Sequence, residues 1–280
     1  MWLLTTLSRI PLQGLYLFSD FLFFIAYYVL GYRKDVIITN LKNSFPEMTD
    51  IERKAILKKF YRNLCDYAVE TIKLPALSET EVKSRMVYRN AEILQPFADK
   101  KQSVILLASH QFNWEWLLLA GSVSLPMPVD YVYQEQNSDV FNSFLMKGRS
   151  HFGAYPIKRE NVARESLRRK EIVRGVAIVA DQYPGQGQNK RYWTKFLNQD
   201  TAFFQGLGQL AVLTQYPAFF ASVKKIKRGY YEIALVPVSQ PPYEKDSYVM
   251  IDNYAKATEK MIRENPDGWL WSHKRWKDRS

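Results

Sequence analysis

One cysteine, Cys65, in 280 residues leaves no room for a disulfide framework or a thiolate metal cluster. It lies in an amphipathic helical stretch, as a small buried apolar residue would. Phosphate loops are missing too. Gly185-Gln186-Gly187-Gln188 lacks the Lys-Ser/Thr that a P-loop requires. Gly206 to Ala211 reads G-x-G-x-x-A, but TAFFQ before it is a poor strand and no acid stands about 20 residues on, which argues against dinucleotide binding. Acidic residues are outnumbered, 28 against 39 basic, and the formal charge of +11 implies anionic partners: lipid head groups, a phosphorylated glycolipid, an acidic carrier protein or nucleic acid.

Aromatic residues are abundant, at 15% of the chain, and amphipathic rings favour the lipid choice. Residues Ile10 to Leu30 are almost wholly apolar, with Asp20 the one charge. About 20 such residues span a hydrocarbon core, and no small-residue cleavage site follows, so an uncleaved anchor is expected over residues 1–34 and a catalytic domain over 35–280. Arg33, Lys34 and Lys42 after the run, against Arg9 before it, put that domain on the cytoplasmic side.

Thr49-x-x-Glu52 is a capping box opening a long helix in which Ile56, Phe60, Leu64 and Ala68 recur at spacing four, and Pro75 closes it. Glu70 reads as a charge on that helix's face. A second helix is expected over 90–100. Val104 to Ala108 and Gly175 to Ala180 are continuous apolar runs, the pattern of buried parallel strands. Further strands are expected at 129–134, 218–223 and 230–238, and a last helix at 247–264. The run RENVARESLRRKEIVR, 159–174, reads as a solvated surface helix. The fold class is therefore α/β, a mixed, mainly parallel sheet flanked by helices.

At the end of the first buried strand come Ser109 and His110, then a helical pattern from Trp114 with Asn113 as its N-cap and Glu115 in its first turn. Ligands of α/β sheets usually bind at such strand ends. A neutral imidazole there can take a proton from an attacking hydroxyl, and a carboxylate on its other nitrogen fixes the tautomer. A spacing of five is about 140° in a continuous helix, so a break at Asn113 is needed to pair His110 with Glu115. No Ser or Cys stands at a spacing that suggests a covalent nucleophile, which favours direct transfer. If the two buried strands are parallel, Asp181 and Gln182 share His110's sheet edge, either organising the site or forming a turn.

SHQFNWE resembles the His-x4-Asp/Glu block of the glycerolipid acyltransferase superfamily. Three further blocks are similar to the late acyltransferases of lipid A biosynthesis, the lauroyl/myristoyl branch: Asn40 to Glu47, Asp181 to Gly185, and the ending Pro266, Leu270, Trp271, His273 to Lys277. The resemblance implies a glycerolipid-acyltransferase-like fold and transfer of an acyl group from acyl carrier protein to a lipid A precursor at the bacterial inner membrane. It implies His110 as general base, Glu115 as its partner, and Arg149 as the active-site arginine stabilising an oxyanion. Asn113, Asp181, Gln182, His273 and Arg275 are the residues expected around the substrate. Thr201 to Gln215 is expected as a helix lining the acyl pocket. An acyl thioester is already activated, so neither metal nor cofactor is called for. Gln134 stands where many members have a basic residue, which keeps a lysophospholipid or aminolipid acceptor open. Trp and Lys/Arg interleave in the tail, but no nucleic-acid module signature accompanies them, so no nucleic-acid partner is expected.

Overall fold

The computed structural model describes residues 2–135, 137–185 and 191–277. Helices α1 (Trp2–Leu7), α2 (Leu12–Phe24) with a π-helical turn (Ile25–Leu30), α3 (Lys34–Ser44), α4 (Asp50–Lys73) and α5 (Glu79–Arg85) precede the sheet. Then follow β1 (Met86–Tyr88), α6 (Gln95–Asp99), β2 (Val104–Ala108), α7 (Trp114–Ser124), β3 (Val129–Tyr133), α8 (Asp139–Arg149), β4 (Tyr155–Lys158), α9 (Val162–Arg168) and β5 (Gly175–Val179). The hairpin β6 (Arg191–Phe196) and β7 (Gln199–Phe204), α10 (Gly206–Thr214), β8 (Ala218–Lys227), β9 (Tyr230–Ser239) and α11 (Val249–Glu264) complete the chain.

Seven strands form one sheet in the order β1-β9-β8-β2-β5-β3-β4. Pairing is parallel throughout except between β8 and β9. The expected α/β class, with a mainly parallel sheet between helices, is what the chain forms. Burial explains the apolar runs: every residue of β2 is buried, because both faces of its strand carry helices. One core cluster joins α3, α4, α10 and α11 to one sheet face; the other joins α5 and α7 to the opposite face.

The capping box forms as read, with Thr49 accepting from the Glu52 N–H and the Glu52 carboxylate accepting from the Thr49 N–H. Two expectations are corrected. Residues 201–204 belong to strand β7 and only Gly206 onward is helical, because these residues pair with β6 in register Thr194↔Thr201. That strand is antiparallel and outside the main sheet, so Gly206 to Ala211 still lacks a dinucleotide-binding frame. The basic run is α-helical only over Val162–Arg168, after a 3-10 turn at Arg159–Asn161, and Arg174 is fully buried, held 2.8 Å from Asp130. Gln186, Gly187 and Gln188 of the other glycine pattern lie outside the described residues.

Leu12–Leu30 is long and apolar enough to cross a membrane, by length and composition. One side of it is packed: Leu12, Leu15, Ser19 and Phe23 are buried. Ser19 Oγ donates to Asp66 of α4 at 2.8 Å, and Arg228 bridges Asp20 and Asp66. The other side leaves Leu17, Phe18, Phe21, Phe24, Val29 and Leu30 exposed.

Candidate active site

Parallel register builds the site. Ala108 of β2 pairs with Val179 of β5, so two residues further along each strand lie His110 and Asp181. The hydroxyl of Tyr254, on α11, ties the two strand ends together, donating to the Ala108 carbonyl (2.8 Å) and accepting from the Ala180 N–H (3.1 Å). His110 Nδ1 stands 2.6 Å from Asp181 Oδ1, and the His110 backbone N–H donates to Oδ2 at 2.9 Å.

A third donor completes the carboxylate. The indole N–H of Trp269 reaches Oδ2 at 2.7 Å. Burial pushes the Asp181 carboxyl towards its neutral form, but the imidazole beside it and these donors hold it below the usual range. With Nδ1–H given to a carboxylate, Nε2 is the free acceptor. The loop is fixed from the other side by the C-terminal segment: Leu270 N–H donates to the His110 carbonyl (3.0 Å) and Phe112 N–H to the Gly268 carbonyl (2.8 Å). Gly268 is required there, since a Cβ would lie 2.5 Å from the Phe112 ring.

The expected pairing of His110 with Glu115 is therefore corrected. Glu115 sits in the first turn of α7, but its carboxylate turns to α8, where Arg149 Nε and Nη2 grip it at 2.7 and 2.6 Å. The pair is nearly buried, at 3% and 15% side-chain exposure. Burial works to lower the Arg149 pKa, yet Glu115 outweighs it and the guanidinium is held charged. Two of its donor nitrogens are thus committed, leaving Nη1.

Asn113 caps α7 as read, accepting from the Trp116 N–H at 2.8 Å, and its amide donates to Glu70 Oε2 at 2.7 Å. It is wholly buried and ties the loop to α4. Glu70 is not the surface charge it resembled. Tyr16, Asn113 and Tyr231 all donate to it, and burial raises its pKa. Of the tail residues, Arg275 is 1% exposed, stacked over Phe203 and donating to the Ala202 carbonyl. Burial lowers its pKa to about 10 and that of His273 to about 4. Neither lines the cavity below, nor does Asn113.

A largely apolar cavity of about 770 Å³ opens beside His110, also lined by Glu115, Arg149, Gln182 and Gln134. Trp114 stands edge-on to the imidazole, their ring centres 4.9 Å apart. Among the described residues no group of three or more His, Cys, Asp or Glu is arranged to hold a metal ion.

An imidazole oriented by a buried carboxylate, at the mouth of an apolar cavity on a parallel sheet edge, is the equipment of an enzyme that moves a proton beside an apolar substrate. The chain belongs to the bacterial lipid A biosynthesis acyltransferase family, whose model matches residues 1–278, and it is an acyltransferase. A comparison with curated proteins finds no match.

Proposed function

We propose that the protein transfers a fatty acyl group from acyl carrier protein to a hydroxyl of a lipid A precursor, with His110 and Asp181 as the catalytic pair. The observation that carries this is the 2.6 Å contact of His110 Nδ1 with buried Asp181 beside the cavity. His110 Nε2 takes the hydroxyl proton as the oxygen attacks the thioester carbonyl. The tetrahedral intermediate then collapses with cleavage of the C–S bond, and the imidazolium returns its proton to the departing sulfur. Asp181 stabilises that imidazolium. Arg149 Nη1, the part of the guanidinium not held by Glu115, supplies donors to the oxyanion. Gln182 contacts the substrate at the mouth.

Residues 1–34 hold the catalytic portion, 35–280, to the cytoplasmic face of the inner membrane. The exposed apolar side of α2 lies in the interface rather than across it, because its other side is tied by Ser19 and Asp20 to charged partners that hydrocarbon would strip of water. Replacing Leu17 and Phe21 by Glu is expected to weaken partitioning onto anionic vesicles at least about tenfold, since burying one such side chain is worth about 1.5–3 kcal/mol. Unchanged partitioning in co-sedimentation would contradict this.

The function itself is tested by offering the full chain labelled acyl carrier protein with a panel of acceptors. Ester formation is expected on bisphosphorylated or monophosphorylated lipid A precursor. Transfer confined to lysophospholipid or aminolipid would overturn the acceptor assignment while leaving the chemistry.

A further inference from the structure

Three rungs of the sheet are replaced in succession where β2 and β5 reach the site. In a parallel pair, a residue donates to the partner just before its opposite number and accepts from the one just after it. Val104 stands opposite Gly175 and its N–H donates to the Arg174 carbonyl at 3.0 Å, so the even-numbered residues of β2 bond towards β5. With Ala108 opposite Val179, the next rung would run from the Ala180 N–H to the Ala108 carbonyl. The Tyr254 hydroxyl takes both groups instead, accepting from the first at 3.1 Å and donating to the second at 2.8 Å. The rung after it would join the His110 N–H to the Ala180 carbonyl, but that N–H donates to Asp181 Oδ2 at 2.9 Å. The third would reach the His110 carbonyl from Gln182, and there the Leu270 N–H donates at 3.0 Å.

We infer that Tyr254 is a positioning residue for the catalytic pair: its hydroxyl stands in for the first of these rungs, parts β2 from β5 at that point, and so keeps open the seat from which Asp181 meets His110. The seat rests on register and distances alone; its effect on turnover rests on the acyl-transfer reading above.

Buried backbone groups find partners. Ala108 and Ala180 are both buried, and with no hydroxyl between them their carbonyl and N–H are the partners that the register offers each other. Closing that bond, at about 2.9 Å, extends the sheet by one step and turns the His110 N–H towards the Ala180 carbonyl. Asp181 Oδ2 then loses a donor, and with it the fix that aims Oδ1 at Nδ1. A hydroxyl suits the position because it donates and accepts at a single atom. Burial raises the Tyr254 pKa well above the ordinary phenol value, so the donated hydrogen is retained. The ring is held from two sides, its centre 6.1 Å from that of Phe220 on β8 and 6.2 Å from that of Phe203 on β7. Tyr254 is fully buried, so α11 delivers the hydroxyl to a fixed point.

The test uses the full chain with 15N-labelled histidine, of which there are three. In the unaltered protein His110, assigned by its loss in His110→Ala, is expected to show a protonated Nδ1 and a bare Nε2, the Nδ1 proton shifted downfield by its carboxylate. Tyr254→Phe should move that proton upfield and lower kcat about 100-fold, the scale of a misplacement of about 1 Å, with the acceptor KM unchanged. Rates are taken well below the variant's melting temperature. 4-Aminophenylalanine at position 254, which donates and accepts again, should restore both readings. If Tyr254→Phe fails to fold, 4-methylphenylalanine, which keeps the volume and makes neither bond, takes its place with the same losses expected. Tyr192→Phe removes another hydroxyl bonded to α11, at Asp252, and should change neither reading. A folded Tyr254→Phe that keeps the downfield proton would overturn the inference. So would a folded 4-aminophenylalanine variant that lacks it, or equal losses in Tyr192→Phe. Loss of the proton with kcat kept within about threefold would sustain the seat and defeat the catalytic reading of His110 and Asp181 instead.

Discussion

Asp181→Asn is expected to lower kcat about 1,000- to 10,000-fold while leaving the fold intact, the scale seen when an acid that orients a catalytic histidine becomes an amide. Asp181 receives three donors, from the His110 ring, the His110 backbone and Trp269. An amide presents an NH2 group to at least one of them. If it faces Nδ1, the imidazole adopts the other tautomer and Nε2 carries a hydrogen where it should accept one. Steady-state rates with saturating acceptor, beside a circular dichroism melt, separate this loss from unfolding. A loss under tenfold would show that the imidazole does not depend on Asp181.

Arg149→Leu is expected to cost about 3–5 kcal/mol of stability, because it strands a buried carboxylate, Glu115, without its cation. For a chain of this size that lowers Tm by roughly 10 °C, at about 2–4 °C per kcal/mol. Adding Glu115→Leu should restore most of the melting temperature, since a buried ion pair replaced on both sides by apolar groups is often near neutral. Activity should not return with it, because the donors at Nη1 are gone. Full recovery of activity in the double variant would make the pair a packing device and nothing more.

Much of this architecture is legible in the residues. The apolar runs of β2 and β5, the Thr49 capping box and the Asn113 cap are local signals, and each forms as its chemistry dictates. What misleads is proximity along the chain. Glu115 is five residues from His110, yet the helix beginning at Trp114 points its carboxylate towards α8, and the partner that reaches Nδ1 stands 71 residues away. Parallel register alone relates them, and that register requires knowing that β5 lies beside β2.

Trp269 and Glu70 are hidden for the same reason: each acts through contacts that cross the fold. Trp269 arrives from the C-terminal segment, and Glu70 gathers Tyr16, Asn113 and Tyr231 from three distant elements. A Trp in a basic tail looks like an interface anchor and a Glu on a helix looks solvated. Only burial distinguishes them. The cationic tail misleads similarly, because Arg275 has its aliphatic stem and guanidinium taken into the core over Phe203.

The central claim is that His110 and Asp181 work as one unit, and a double-mutant cycle on kcat/KM tests it most directly. His110→Ala, Asp181→Asn and the double variant would be compared in acyl transfer to the lipid A precursor. Groups that act together are grossly non-additive. The expected result is a double variant no worse than His110→Ala alone, with Glu115→Gln outside that coupling. Losses that multiply, or coupling of His110 to Glu115 in place of Asp181, would contradict it.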